Sequence, residues 1–278
     1  SILCGNGAAD LIFRLAWAAK PRTALVTAPT FAEYAAALEG AGCAVLRHFL
    51  QAEVDFAVTD SILSSITPEV DMVFLCQPNN PTGQLTPLPL VERILRRCEA
   101  CGALLVVDEC FLDFLPDCDA LTAKALLDSK NLLILKAFTK LYGMAGVRLG
   151  YCLCTNTALL EAMQAAGQPW AVSSLAQAAG LAALDETAYV AQVRALIAQQ
   201  RPRLTAGLRA LGLRVLDGRA NYLLFQGPET LGDALRQRSV VLRSCSNYPG
   251  LDGSWYRTAV RTGPENDELL KTLAEVLA

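Results

Sequence analysis

What most constrains the fold of this chain is a set of short strand-like segments that are apolar on both faces. Residues 71–76, 104–108 and 132–138 read Asp-Met-Val-Phe-Leu-Cys, Leu-Leu-Val-Val-Asp and Leu-Leu-Ile-Leu-Lys-Ala-Phe. A strand with apolar side chains at odd and even positions cannot show either face to water, so helices must cover both. Helical patterns lie between these segments: 31–41 separates strands at 23–28 and 44–50, and 90–100 precedes the strand at 104–108. The alternation predicts an α/β domain with a mostly parallel central sheet covered by helices, with a further strand at 149–154. From 172 to 211 the pattern is continuously helical, with breaks expected near Asp185 and at Pro202. Beyond it, short strands (213–216, 222–225, 240–243, 255–260) and helices (230–237, 265–277) predict a small C-terminal α+β domain. The expected division is 1–190 for the large domain and 191–278 for the small one.

Composition narrows the function classes. With 278 residues, 53% of them hydrophobic, the chain can bury a sizeable core. A formal net charge of −3 leaves no basic footprint, so no nucleic-acid partner is expected. No apolar run approaches the ~20 residues of a membrane span, and no segment resembles a leader peptide. Ten cysteines at irregular spacing fit reduced thiols and a cytoplasmic location. Cys98-x-x-Cys101 closes a helical pattern without further ligands nearby, so it reads as two half-buried thiols rather than a zinc or redox site. His48 is the only histidine, and it falls in the strand at 44–50. Ser-His and Cys-His chemistry is thereby set aside. The chain starts at Ser1 and runs at once into Cys4-Gly5-Asn6-Gly7-Ala8, then a helix at 8–19. That opening reads as a unit entered part-way, and a preceding segment is expected.

Three places carry chemistry. Lys140 lies in Phe138-Thr139-Lys140-Leu141-Tyr142, where the strand at 132–138 meets a small-residue turn that ends at Arg148. A lysine at a strand end among apolar neighbours loses its proton readily and can attack a carbonyl to form a Schiff base. Thr139 and Arg148 could hold a phosphate beside it, although a solvated surface charge is the ordinary role of a lysine. Asn79-Asn80-Pro81-Thr82-Gly83 follows the strand ending at Cys76; it is either a surface turn or a ligand contact at the carboxyl end of a parallel strand. Asp108 ends an apolar strand, where a carboxylate is costly without a partner. A protonated pyridine nitrogen would be such a partner, and a cap for the following turn is the alternative. Glu109 and Asp113 are read as structural or solvated.

Taken in order, Gly5-Asn6-Gly7, Phe31, Asn80-Pro81-Thr82-Gly83, Asp108, Thr139-Lys140 and Arg148 resemble the fold-type I pyridoxal-phosphate enzymes, the aspartate aminotransferase superfamily, over essentially the whole chain. Within it the chain is most similar to the histidinol-phosphate aminotransferase group. Ser244-Cys245-Ser246-Asn247-Tyr248-Pro249-Gly250-Leu251, flanked by Arg243 and Arg257, resembles the threonine-phosphate decarboxylases of cobalamin biosynthesis. So do Asp108-Glu109-Cys110-Phe111-Leu112-Asp113-Phe114 and Gln168-Pro169-Trp170-Ala171-Val172.

The resemblance implies a role for each position. Lys140 would bond pyridoxal 5'-phosphate and then carry protons. Asp108 would pair with the pyridine nitrogen, Asn80 would hold the ring hydroxyl, and Phe31 would stack on the ring. Gly7 and Ala8 amides, Thr139 and Arg148 would hold the phosphate, an assignment consistent with a glycine turn opening a helix. Arg257 would grip the substrate carboxylate and Arg243 a second anion, plausibly the substrate's own phosphate. Two positions depart from the pattern: Ala137 replaces a Ser or Thr of many relatives, and Phe111 replaces a tyrosine. The implied reaction is decarboxylation of L-threonine O-3-phosphate to (R)-1-aminopropan-2-yl phosphate. The alternatives are an aminotransferase of the histidinol-phosphate type and a degenerate, non-catalytic homologue. The implied partners are a small phosphorylated amino acid and a second copy of the chain in a homodimer.

Overall fold

The computed structural model describes residues 1–278. The first part of the chain runs β1 (Ile2–Gly5), α1 (Gly7–Ala19), β2 (Thr23–Ala28), α2 (Glu33–Gly40), β3 (Ala44–Phe49), α3 (Ile62–Ser65), β4 (Met72–Cys76), α4 (Leu88–Cys101), β5 (Leu104–Asp108) and α5 (Cys118–Leu121). It continues through β6 (Leu132–Ala137), α6 (Phe138–Leu141), β7 (Gly150–Cys154), α7 (Thr157–Ala165), α8 (Ser174–Asp185) and α9 (Thr187–Ala210). The remainder is β8 (Arg214–Val215), β9 (Tyr222–Gln226), α10 (Leu231–Arg236), β10 (Arg243–Ser244), β11 (Trp255–Ala259) and α11 (Gly263–Leu277).

Seven strands form the large sheet in the order β1-β7-β6-β5-β4-β2-β3. From β3 across to β6 every pairing is parallel, as the two-sided apolar strands require. Alternate side chains feed two separate cores. Val26, Phe74, Val106, Leu133 and Leu135 pack with Leu11, Ile12 and Leu15 of α1 on one face. Leu25, Val73, Leu75, Leu105, Val107 and Ile134 pack with Val91, Ile94 and Leu95 of α4 on the other. The i, i+3, i+4 spacing of Leu90, Val91, Ile94, Leu95 and Cys98 makes α4 one-sided, and Gly102, at φ 74°, ends it.

Four strands form the second sheet, β10-β11-β9-β8, antiparallel throughout. Its Leu223 and Phe225 pack with Ile197, Leu204 and Leu208 of α9 and Leu273 of α11. Leu224, Trp255, Cys245 and Tyr248 instead meet Leu50 and Phe56, which seats this sheet against the end of β3. No helix is long and apolar enough to cross a membrane.

Several expectations shift. The edge beyond β6 is antiparallel: β7 runs against β6, and the residues before Gly7 form β1, which pairs with β7. Phe138 leaves the strand and starts α6. β10 begins at Arg243, where a strand was expected to end. A break does separate α8 from α9 near Asp185, but α9 runs unbroken through Pro202. Pro202 and Ala198, whose carbonyl loses its helical partner, are both exposed, on the face of the helix where solvent can reach the freed oxygen. A division after residue 190 falls in the first turn of α9.

Candidate active site

Parallel strands place their carboxyl ends along one rim, and ligands of open α/β sheets bind there. Here the segments leaving β2, β4, β5 and β6 deliver Phe31, Asn80, Asp108 with Phe111, and Thr139 with Lys140 to one cavity of about 180 Å³. Ala8, Ala9, Ala137 and Arg148 complete most of its wall.

The α1 end of this cavity is built for an anion. Asn6 precedes the helix without capping it through its side chain. The first-turn amides therefore have no side-chain cap, and Ala8, Ala9, Thr139 and Arg148 line the same cavity. Gly7 adopts φ 82°, and a Cβ there would lie 2.5 Å from Arg148 Nη2. The glycine thus lets the guanidinium lie on the backbone. Gly150 opens β7 for the same reason: its Cβ would sit 2.6 Å from the Ala8 amide nitrogen. Arg148 itself takes φ 62°, a conformation costly for a side-chain-bearing residue, and donates Nη1 to the Ala145 carbonyl at 3.1 Å.

The opposite end is built for a cation. Asp108 is 6% exposed. Its Oδ2 accepts from the Tyr34 hydroxyl at 2.6 Å and its Oδ1 from the Cys110 amide at 3.0 Å. An ionised carboxylate has about four acceptor positions, so two remain. Nothing in the sequence marked Tyr34, which occupies an apolar slot of a helical pattern. Cys76, beside Asp108 on β4, and Cys110 also line the cavity. Burial first, then the Asp108 charge, raises both thiols, Cys76 to about 12. Neither is a thiolate near neutrality.

Between the two ends, Asn80 Oδ1 accepts from the Arg257 guanidinium and, at 3.4 Å, from the Tyr248 hydroxyl. Its amide nitrogen is thereby turned free to donate. An anion cradle, a carboxylate, a ring-sized gap walled by Phe31 and an amine match the phosphate, pyridinium nitrogen, ring and aldehyde of pyridoxal phosphate. The Asn80 amide nitrogen would face the ring oxygen of such a group as a donor. The residues present fit that group. Phe111 offers no hydroxyl; its ring lies 5.4 Å from Lys140 Nζ and edge-on to Tyr222.

A second cavity adjoins the first and shares Phe111 and Lys140 with it. Arg243, Arg257 and Arg261 line it, and no carboxylate does. Arg243 and Arg257 face each other in register across β10 and β11. Arg257 is ordered from two sides, by Asn80 and by the face of Tyr222, with its guanidinium carbon 5.1 Å from the ring centroid. Arg243 is exposed, donates to Asn247 and lies over the Tyr248 ring, 6.0 Å from its centroid. Arg261 was not singled out in the sequence, because it lies beyond the strand that carries Arg257.

One expectation about Lys140 is corrected. It stands in the single turn of α6 with an exposed side chain, not enclosed at the end of a strand. The enclosed lysine is Lys136, on β6, whose Nζ lies 3.0 Å from Glu109 and 2.8 Å from Asp113. Glu109 is fully buried and also accepts from Thr122 and the Ala123 amide. These carboxylates therefore hold β5 to β6 and the following loop. Among the thiols, Cys98 is buried and raised to about 12 by desolvation, and Cys101 bonds the Ile66 carbonyl. No group of three or more His, Cys, Asp and Glu side chains is arranged to hold a metal ion. His48 lies on β3 between Ser61 and Ser65.

Comparison with known proteins follows the same lines. The family model for aminotransferase class I and II matches residues 1–274. The chain is 39% identical to threonine-phosphate decarboxylase of Salmonella typhimurium over 280 aligned residues, 99% of this chain and 77% of that protein. It is 33% identical to a histidinol-phosphate aminotransferase of Lactiplantibacillus plantarum, over 91% of this chain and 70% of that protein. Among solved structures it superposes on the histidinol-phosphate aminotransferase of Clostridium acetobutylicum with a TM-score of 0.93 at 28% identity, covering 99% of this chain and 83% of that one.

Proposed function

Because the chain belongs to the class I and II aminotransferase family, and with it to the pyridoxal-phosphate enzymes, we propose that it decarboxylates L-threonine O-3-phosphate, releasing CO2 and (R)-1-aminopropan-2-yl phosphate. The observation that carries this reading is the cavity beside Lys140, lined by Arg243, Arg257 and Arg261 and by no carboxylate, with Arg261 paired to Glu265 at 3.2 Å outside it. One carboxylate engages one guanidinium fork, so Arg243 and Arg257, neither paired to a carboxylate, suit a substrate with a second anion such as a phosphate ester. The 39% identity to a threonine-phosphate decarboxylase supports the same choice.

In this reading Lys140 attaches the cofactor. Gly7 and Ala8 amides, Thr139 and Arg148 bind its phosphate, Asp108 its ring nitrogen, Asn80 its ring oxygen and Phe31 its ring face. Bound there, pyridoxal phosphate supplies an electron sink conjugated to the substrate's α-carbon. Arg257, fixed by Asn80 and Tyr222, is the pre-ordered grip for the substrate carboxylate. Arg243 and Arg261 take the phosphate at the mouth. Together they would set which α-carbon bond is presented for cleavage. If it is the carboxylate bond, CO2 departs without its bonding pair, and the Lys140 ammonium returns a proton to the α-carbon. If it is the hydrogen, the Lys140 amine removes that proton and transfers it onward.

The second course is that of an aminotransferase acting on histidinol phosphate or a similar amino acid, which the TM-score of 0.93 to such an enzyme favours. Incubation with L-threonine O-3-phosphate, following CO2, and separately with histidinol phosphate plus 2-oxoglutarate, following glutamate, separates the two. Glutamate without CO2 overturns the decarboxylase reading.

A homodimer belongs to the same proposal. Leu175, Leu181 and Leu184 of α8 and the neighbouring Trp170 are exposed; Leu181 and Leu184 line one surface cleft and Trp170 an adjoining one, the two sharing Cys4 and Val172. A second copy would cover this face, and a monomeric mass by light scattering would refute it.

A further inference from the structure

We propose that Tyr34 is a positioning residue that fixes the Asp108 carboxylate toward the ring nitrogen of the cofactor, an inference resting on the reading of Asp108 given above. Tyr34 stands in the first turn of α2 and is fully buried. Its ring stacks on Phe74 of β4 at 4.7 Å and meets the edge of Phe31 at 5.5 Å. A phenylalanine would fill that space equally well, and it would spare the chain a buried hydroxyl, which is unfavourable unless bonded. The hydroxyl donates to Asp108 Oδ2 at 2.6 Å, a separation typical of a donor to a charged carboxylate, and also meets the Cys76 thiol.

The other oxygen, Oδ1, takes the Cys110 amide at 3.0 Å. Two donors, one from α2 and one from the segment after β5, therefore hold the two oxygens of one carboxylate. Such a pair fixes both the side-chain rotamer and the plane of the carboxylate, and it leaves the remaining acceptor positions for the cavity that Asp108 lines. Tyr34 cannot change its role with pH. Burial, and then the charge of Asp108, push its phenol well above the ordinary tyrosine range, so it remains a donor. A carboxylate held in this orientation would offer an oxygen to a protonated ring nitrogen. Through Phe31 the same tyrosine braces the wall that faces the ring.

The test is a double-mutant cycle read by cofactor binding rather than turnover. Dissociation constants for pyridoxal phosphate would be measured for the wild type, Tyr34→Phe, Asp108→Asn and the double variant. A lost hydrogen bond to a charged group corresponds to a loss of about tenfold or more, and that is expected for Tyr34→Phe. In the Asp108→Asn background the second substitution should change binding by less than about twofold, since there is no longer a carboxylate to position. With cofactor labelled with 15N in its ring, Tyr34→Phe should also move the nitrogen resonance toward the unprotonated position. Phe74→Leu, which loosens the stack but keeps the hydroxyl, should lower the melting temperature and leave binding within about twofold.

An equal loss in both Asp108 backgrounds, an unmoved 15N resonance, or a Phe74→Leu loss as large as that of Tyr34→Phe would overturn the proposal. Unchanged binding and an unchanged resonance in Asp108→Asn alone would instead overturn the reading of Asp108 on which it rests.

Discussion

Gly7→Ala isolates the anion cradle. Two effects are expected from the structure. The first is backbone strain: at φ 82° an L-residue costs about 1–2 kcal/mol relative to glycine. The second is displacement, because the new methyl would stand 2.5 Å from Arg148 Nη2 and 3.0 Å from its Cζ, so the guanidinium must move off the cradle. A charge-assisted hydrogen bond contributes about 1.5–3 kcal/mol, so pyridoxal phosphate should bind about 10- to 100-fold more weakly. Gly42→Ala provides the subtraction. Gly42 has φ 83°, and a Cβ there meets nothing within 4 Å, so it carries the strain without the collision. Both variants should lose similar stability in denaturant titrations, while only Gly7→Ala should lose cofactor affinity in absorbance titrations of the apoprotein. Equal affinities in the two variants would refute the assignment of Gly7 and Arg148 to the phosphate.

Other expectations follow from the buried charges and thiols. Lys136→Met should destabilise the fold by about 3–5 kcal/mol, because it leaves Glu109 buried without its cation; a denaturation midpoint unchanged from wild type would contradict this. Burial raises the thiols of Cys76, Cys98 and Cys152 to about 12 and that of Cys245 to about 11, whereas an unfolded thiol titrates near about 8.5. The folded chain then keeps protons that the unfolded chain loses. This contribution is complete below about pH 8.5 and falls away as the pH rises toward 11, so the melting temperature should drop between pH 8 and 10.5, and Cys98→Ala should lessen the slope. Arg257→Lys should raise KM for an amino-acid substrate more than it lowers kcat, since the bidentate grip and the stack on Tyr222 are lost together.

The sequence made the core of the fold legible because strands covered on both faces leave an unmistakable apolar pattern. It made strand direction at the edge illegible: β7 is buried at alternate positions and β1 is short, and neither pattern distinguishes antiparallel from parallel pairing. Pro202 read as a break because propensity argues against it, yet an exposed carbonyl can turn to water. Asn80, Asp108 and Arg148 could be singled out because each sits where a strand or a glycine turn ends. Tyr34 could not, since its partner lies 74 positions away and its own surroundings are apolar. Lys136 was passed over for a related reason. Its neutralising carboxylates, Glu109 and Asp113, come from the segment around the end of β5, and no local spacing announces a pairing across a sheet.

Whether Lys140 is the residue that bonds the cofactor is tested most directly by trapping. Protein supplied with pyridoxal phosphate would be reduced with borohydride, digested and mapped by mass spectrometry. The expected result is a pyridoxyl adduct on the peptide containing Lys140, absent from Lys140→Ala, which should also lack the visible absorbance band. An adduct on another lysine, or a band that survives Lys140→Ala, would contradict the account.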